Sequence, residues 1–348
     1  MATNNAGGFS RGEEHNIEFA FGHRKPKGQR LTLGKGAVKA QAWRTVSKVP
    51  EVMVRVSGGG KTSQHVKAHF DYISRNGKLD MVTDQGETIS GKDQVGDLFE
   101  SWDLDLSKRQ GNVKQGNLKQ AFNVVLSMPA GTDPQKVLAA AQGFAQETLY
   151  GKHQYAMVLH TPETDPHKDA PPHPHVHLII KAEGFDGKRL HIRKATLQTW
   201  RETFAEQLRD RGIEANATPR MVRGITKKGK TAAIYHLEKR GESRVLGEKV
   251  KEVAKELNEG ATELKPWEKA IINRRQKTLR EQLEAAQAYE AEGDKELANA
   301  IRKHAASMPR PETERHTLKK TIVQGIKRSR DKAQDKDQEM PKRDERER

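Results

Sequence analysis

The sequence has no cysteine, few aromatic residues and no long apolar run. Each absence excludes something. Without cysteine there are no disulfides, no cysteine-ligated zinc and no thiol nucleophile, and the composition fits a reducing compartment, expected to be the cytoplasm. Aromatics make up 5% and charged residues 32% of 348 residues, so dense core cannot extend through the whole chain. No apolar stretch approaches the roughly 20 residues needed to cross a bilayer. Met1–Ser10 lacks a charged-then-apolar secretion pattern, so no membrane insertion is expected. Acidic residues are also in deficit, 47 against 63 Lys plus Arg, giving a net charge of +16. That excess favours a polyanionic partner: nucleic acid first, an anionic membrane second.

The most informative stretch present is Pro172-His173-Pro174-His175-Val176-His177-Leu178-Ile179-Ile180. It starts polar and ends as a buried strand. Side chains alternate faces along a strand, so His175 and His177 share one face and Val176 and Leu178 the other. Two imidazoles so spaced can lean toward one ion. A bare His-x-His is more often an exposed strand end with incidental histidines; the rest of the chain decides between the two.

Residues 1–49 read as a basic flexible arm, punctuated by Lys25-Pro26-Lys27-Gly28 and Gly34-Lys35-Gly36. Glu51–Val56 is a first strand. Val66, Phe70 and Ile73 follow at helical spacing, with Tyr72 off that stripe and Asn76-Gly77 closing the helix. Leu79–Ser90 reads as a hairpin turning at Asp84-Gln85-Gly86, with a helix around Val95–Trp102 after it. Asn123–Met128 is a strand. Asp133-Pro134 then caps a helix whose stripe is Val137, Leu138, Ala141, Phe144, Ala145 and Leu149. His153–His160 is a strand, residues 161–172 a polar loop, and Arg189–Ile192 a short partner for the histidine strand. Leu197, Trp200, Phe204 and Leu208 mark another helix, closed by Gly212. Strands joined by loops pair antiparallel, so the expectation over residues 50–225 is an α+β fold, an antiparallel sheet with flanking helices on one side. Residues 226–308 read as basic and mainly helical, with a helix over Leu264–Glu292 carrying Leu279, Leu283 and Ala286 on one side. Residues 309–348 read as a charged, disordered tail.

Three histidines converge if the strand ending at His160 lies beside His175 and His177. Three imidazoles leave coordination positions open, the arrangement of a catalytic rather than a structural site. Such an ion can polarise a phosphodiester. Imidazoles alone do not fix the metal: they suit zinc, copper, iron or nickel, while phosphate-handling enzymes often use magnesium or manganese. With no cysteine and no Gly-x-Ser-x-Gly elbow, the candidate nucleophile is Tyr72, beside Asp71, Ser74 and Arg75. A phenol has a pKa near 10, and a phosphate-bound cation close by favours the phenolate. Taken alone, a partly buried tyrosine with a bonded hydroxyl explains Tyr72 equally well.

The pieces resemble the conjugative DNA relaxases of the His-hydrophobe-His endonuclease superfamily, especially the branch of the T-DNA border endonuclease. Three motifs match in order: Phe70-Asp71-Tyr72-Ile73-Ser74-Arg75, then Leu126-Ser127-Met128-Pro129-Ala130-Gly131-Thr132-Asp133, then His173–Ile180. The stretch Arg211–Thr218 is also similar. The resemblance covers about residues 50–225 and makes them the relaxase nuclease domain. It implies a site- and strand-specific nick in single-stranded DNA at an origin of transfer, with Tyr72 bonded to the 5′ phosphate to start conjugation or mobilization. It further implies His160, His175 and His177 as ligands of a divalent metal (magnesium or manganese), and Ser127 and Arg75 as DNA contacts. Accessory relaxosome proteins and the type IV coupling and secretion machinery are the implied partners. A tyrosine before the histidines is the order of relaxases; rolling-circle initiators of the same superfamily place it after.

Two departures stand. Residues 161–172 separate His160 from the His-Pro-His segment, so His173 and His167 are alternatives to it, and Asp165 stands where the family's aspartate could be matched. Lys181 follows Ile180, where the family often has asparagine. The alternative function is a catalytically silent nucleic-acid-binding protein of the same fold. A third reading, a zinc-stabilised structural protein, predicts loss of the fold on chelation.

Overall fold

The computed structural model describes residues 20–21, 35–104, 118–164, 172–226, 229–230, 232–260 and 263–339. The chain divides into two compact units, His23–Thr218 and a second made of Met1–Gly22 with Pro219–Arg348.

The first unit opens with helix α1 (Lys35–Val46), strand β1 (Met53–Gly58) and helix α2 (Ser63–Ile73). Strands β2 (Met81–Thr83) and β3 (Thr88–Ile89) form the expected hairpin, and helix α3 (Lys92–Ser101) follows. Next come β4 (Ala121–Ser127), α4 (Pro134–Thr148), β5 (His153–His160), β6 (His175–Gly184) and α5 (Lys194–Arg209). The six strands form one sheet in the order β1-β4-β6-β5-β2-β3, antiparallel at every pairing. The expected α+β class is therefore the observed one. The Arg189–Ile192 strand is not formed: one isolated bridge, Glu183 to Arg189, stands in its place.

The helices lie on both faces of the sheet, not on one. On the first face Val124, Leu126, Val176, Leu178, Ile180 and Met157 pack with Val137, Phe144, Trp200 and Phe204 of α4 and α5. Phe144 meets Trp200 and Phe204 edge-on at 5.8 and 6.4 Å, a favoured aromatic geometry. Asp133 caps α4 as expected, its Oδ1 accepting from the Gln135 amide at 2.9 Å. On the second face Ala156, Val158 and Ile179 pack with Val66, Phe70 and Ile73 of α2 and with Val95 and Trp102. The stripe that seats α2 is the one expected, and Phe70 meets Trp102 at 4.8 Å. Thr62 caps α2, accepting from the His65 amide at 3.2 Å.

The arm expected to be loose contains α1, which is held by polar groups. Gln41 donates to Asn216 at 2.7 Å, and the Thr45 and Thr218 hydroxyls are 3.2 Å apart, all four side chains buried. Asn216 in turn bonds the entry to β1 through Pro50 and Val52. The Arg211–Thr218 stretch thus ties α1 to the first strand.

The second unit holds α6 (Ala232–Lys239), α7 (Arg244–Asn258), α8 (Pro266–Ala291), α9 (Lys295–Ser307) and α10 (Glu314–Glu339). The buried face of α8 is Thr278, Gln282, Ala285, Ala286 and Tyr289, while Leu283 is exposed, so the expected stripe is displaced. The region expected to be a disordered tail contains α10. Its first turn is anchored by Arg315, which bonds Glu268 at 2.5 Å and Glu256 at 2.6 Å. A sequence rich in both charge signs folds here because its charges find partners on α7 and α8. Residues 340–348 lie outside the described residues.

Candidate active site

The register of β5 and β6 sets His160 directly opposite His175 and Val158 opposite His177. Residues paired across a ladder share a face. His175 and His177 are two apart, so all three imidazoles emerge on the second face, the one under α2. Their ring centroids are 4.5 Å (His160–His177), 5.1 Å (His175–His177) and 5.3 Å (His160–His175) apart. One ring nitrogen of each lies within 4.8 Å of the others. All three side chains are buried.

Hydrogen bonds settle two of the tautomers. The Ile73 carbonyl can only accept, so His160 donates to it through Nε2 at 2.7 Å and keeps its lone pair on Nδ1. That Nδ1 lies 3.4 Å from an Arg75 guanidinium nitrogen. His175 donates through Nδ1 to the His173 carbonyl at 3.1 Å, leaving the Nε2 lone pair. Nδ1 of His177 is buried with no hydrogen-bond partner. Burial, helped by the neighbouring His160 and His175, pulls the His177 pKa down to about 2. The ring is therefore neutral at ordinary pH, the form that ligates metal. Two imidazoles oriented by backbone carbonyls, with an orphan buried nitrogen on the third, fit a divalent cation. Of the alternatives to His160, His173 lies outside the cluster and contributes its carbonyl. His167 and Asp165 lie outside the described residues.

Tyr72 sits in the last turn of α2. Because Phe70 and Ile73 face the core, Tyr72 points away from it and is 46% exposed. Its ring meets His177 edge-on at 5.9 Å. Beyond the helix the chain runs through three left-handed residues, Arg75, Asn76 and Gly77. Such conformations are disfavoured for side-chain-bearing residues and cluster at functional sites. This turn folds Arg75 back, placing its guanidinium carbon 4.9 Å from the Tyr72 ring as well as beside His160. Ser127 lies opposite His175 in the β4–β6 ladder, on the same face, with its side chain buried. Tyr72, Arg75, Ser127 and the three histidines therefore meet at one end of the sheet.

One residue here escaped sequence reasoning. His69, one turn before Tyr72, stacks on it with centroids 6.0 Å apart and planes at 21°, and meets His177 at 6.3 Å. Burial, then the nearby His160, lowers its pKa to about 4. The available signal was the i, i+3 spacing of two rings on one helix.

Residues 72–213 match the family model for the nuclease domain of MobA/VirD2-like relaxases. That span begins at Tyr72 and contains the whole histidine cluster. Residues 72–213 are thus matched as a relaxase nuclease domain. The chain is also similar to proteins named T-DNA border endonuclease VirD2. The one from Rhizobium radiobacter is 26% identical over 216 residues, 58% of this chain and 48% of that protein. Those from Agrobacterium fabrum and Rhizobium rhizogenes are each 25% identical, covering 56% and 53% of this chain and 46% and 44% of the relatives. The chain thus matches about half the length of these relatives. Among the described residues no helix is long and apolar enough to cross a membrane.

Proposed function

We propose that this chain is a site- and strand-specific DNA-nicking transesterase that acts on single-stranded DNA at an origin of transfer. The observation that carries the reading is the meeting of an exposed tyrosine with three buried, convergent histidines, Tyr72 lying 5.9 Å from His177. A divalent cation held by His160, His175 and His177, magnesium or manganese, would neutralise charge on the phosphodiester oxygens and favour the phenolate. Tyr72 Oη attacks phosphorus, the Oη–P bond forms, and the bond from phosphorus to the 3′ oxygen breaks. The products are a 5′-phosphotyrosine and a 3′ hydroxyl, the phenolic proton leaving to solvent before attack and the departing 3′ oxygen taking one from solvent. Reversal rejoins the strand. Arg75, beside both the Tyr72 ring and His160, supplies positive charge where the phosphate arrives. Ser127, next to His175, lines the same end of the sheet and is proposed as a DNA contact. Accessory proteins at the origin and a type IV coupling apparatus are the proposed partners, with the cytoplasm as the site of action.

The test is a denaturing gel of the full chain incubated with single-stranded oligonucleotides tiling candidate transfer origins, with manganese or magnesium. A denaturant-resistant protein–DNA band that is lost in Tyr72→Phe and with chelator is expected. A band persisting in Tyr72→Phe refutes this nucleophile. Salt-sensitive binding with no covalent band on any oligonucleotide of a tiled genome refutes the enzyme and leaves the silent binding protein.

A further inference from the structure

The Tyr72 side chain stands half in solvent at a helix end, and nothing in its own chemistry fixes where its ring points. An exposed aromatic side chain on a helix has more than one staggered χ1 available. In-line attack demands one of them, because a misplaced nucleophile loses rate steeply. Two side chains touch the ring from neighbouring turns. Arg75 comes from three residues after and His69 from three residues before. Arg75 is already engaged with His160 and with the phosphate proposed above. His69 has no assigned task. Its Nε2 is buried and makes no hydrogen bond, so that nitrogen is not the reason for its placement. Its contacts in this cluster are made by the ring: near-parallel to Tyr72 at 21° and edge-on to His177 at 73°.

We propose that His69 is a positioning residue, a flat platform that holds the Tyr72 ring over His177. This rests on the reading of Tyr72 as the nucleophile. The three rings form a triangle with sides of 5.9, 6.0 and 6.3 Å, so His69 packs beside both Tyr72 and His177, and His177 belongs to a buried strand. The ring therefore transmits the position of the sheet to the phenol. An aromatic pair of this kind shifts a two-state orientation by a factor of about two to ten. The platform needs a ring and not a titrating group, which separates it from a general base.

The test uses the full chain labelled with 3-fluorotyrosine, in which the five tyrosines give five 19F signals and Tyr72→Phe assigns the one of interest. In parallel, the covalent adduct is timed on a saturating pool of randomised single-stranded oligonucleotides with manganese. His69→Ala should move the Tyr72 signal toward the solvent-exposed value and slow adduct formation roughly two- to tenfold, with affinity for the pool and thermal midpoint unchanged. His69→Phe should restore both signal and rate, which an acid–base role does not allow, while the unchanged midpoint of His69→Ala separates positioning from a structural role. A wild-type signal and rate in His69→Ala overturn the proposal, and so does a His69→Phe variant that behaves like His69→Ala. Absence of any adduct in the wild type defeats the relaxase chemistry, and an adduct that survives Tyr72→Phe defeats the nucleophile. In both cases the 19F signal still decides whether His69 holds the ring.

Discussion

Gly77 ends the turn that carries Arg75 into the site, and its replacement by alanine tests whether that turn is rigidly held. Two costs combine there. Its φ of +80° is a conformation that costs an L-residue about 1–2 kcal/mol. A Cβ at this position would also lie 2.4 Å from the Gly91 carbonyl carbon and 2.4 Å from the Lys92 amide nitrogen, and backbone cannot swing aside as a side-chain tip can. Overpacking of that kind adds about 1–3 kcal/mol. Relief by separation would stretch the bond from the Gly91 amide to the Gly77 carbonyl, 2.9 Å, worth about 0.5–1.5 kcal/mol net. The expected loss for Gly77→Ala is therefore about 2–5 kcal/mol. Gly86 is the internal control: its φ is also +80°, but nothing lies within 4 Å of an added Cβ. Gly86→Ala should lose only the conformational part, about 1–2 kcal/mol. Urea unfolding followed by tryptophan fluorescence measures both, since Trp102 is buried in the core that α2 packs against. The adduct rate should fall more in Gly77→Ala than in Gly86→Ala under conditions where both variants remain folded. Equal losses of stability for the two variants would refute the reasoning, showing that the approach to Gly91 relaxes without resistance.

Other perturbations reach other parts of the molecule. His175→Ala combined with His177→Ala should abolish saturable manganese binding in calorimetry while leaving the circular dichroism unchanged; retained binding would remove these residues as ligands. Phe70→Ala, which empties a wholly buried position beside Trp102, should cost about 3–5 kcal/mol in urea unfolding. In the second unit, the Arg315 guanidinium holds the Glu256 carboxyl down at about 2. A depressed carboxylate contributes stability that is fully present above its unfolded pKa near 4.5 and lost as pH falls toward 2. Thermal midpoints should therefore drop between pH 5 and pH 3, and Arg315→Met should flatten that dependence while lowering the midpoint at pH 7.

The sheet and the seating of α2, α4 and α5 were legible because their buried residues are apolar and fall at clean periods. Val66, Phe70 and Ile73 mark α2, and Val176, Leu178 and Ile180 mark the inner face of β6. That these helices divide between two faces was missed because β5 and β6 are buried on both faces, which alternation alone does not display. Helix α1 was missed for a different reason. It is held by Gln41 and Thr45, and a stripe of polar residues looks like surface until its partners, Asn216 and Thr218, are known. Helix α10 escaped similarly, since Arg315 finds Glu256 and Glu268 far away in sequence. Within the site, His175 and His177 stood out by their alternation on a strand and Tyr72 by its place off the α2 stripe, while Ser127 and Arg75 were singled out only through the family resemblance; His69 lay in an unremarkable helical turn and only the orientation of its ring distinguishes it.

The histidine cluster depends on a register that no tight turn sets. A two-residue hairpin would fix the pairing of β5 with β6, but residues 161–174 separate these strands, and a long connection leaves their offset free. What selects the offset is the other face. Tyr155 opposite Ile180, Met157 opposite Leu178 and Leu159 opposite Val176 all project toward α4 and α5. A slip by one residue would turn His175 and His177 into that apolar core and expose Val176 and Leu178 to the site. Burying an imidazole there without a partner costs about 1–3 kcal/mol, and each apolar side chain lost from the core about as much again. The apolar face that makes the fold is thus the device that aligns His160 with His175. Weakening it, for instance by Leu178→Ala, should degrade manganese affinity together with stability although Leu178 projects to the face opposite the histidines. A Leu178→Ala variant that is destabilised yet binds manganese as tightly as the wild type would show instead that the histidines hold their own register.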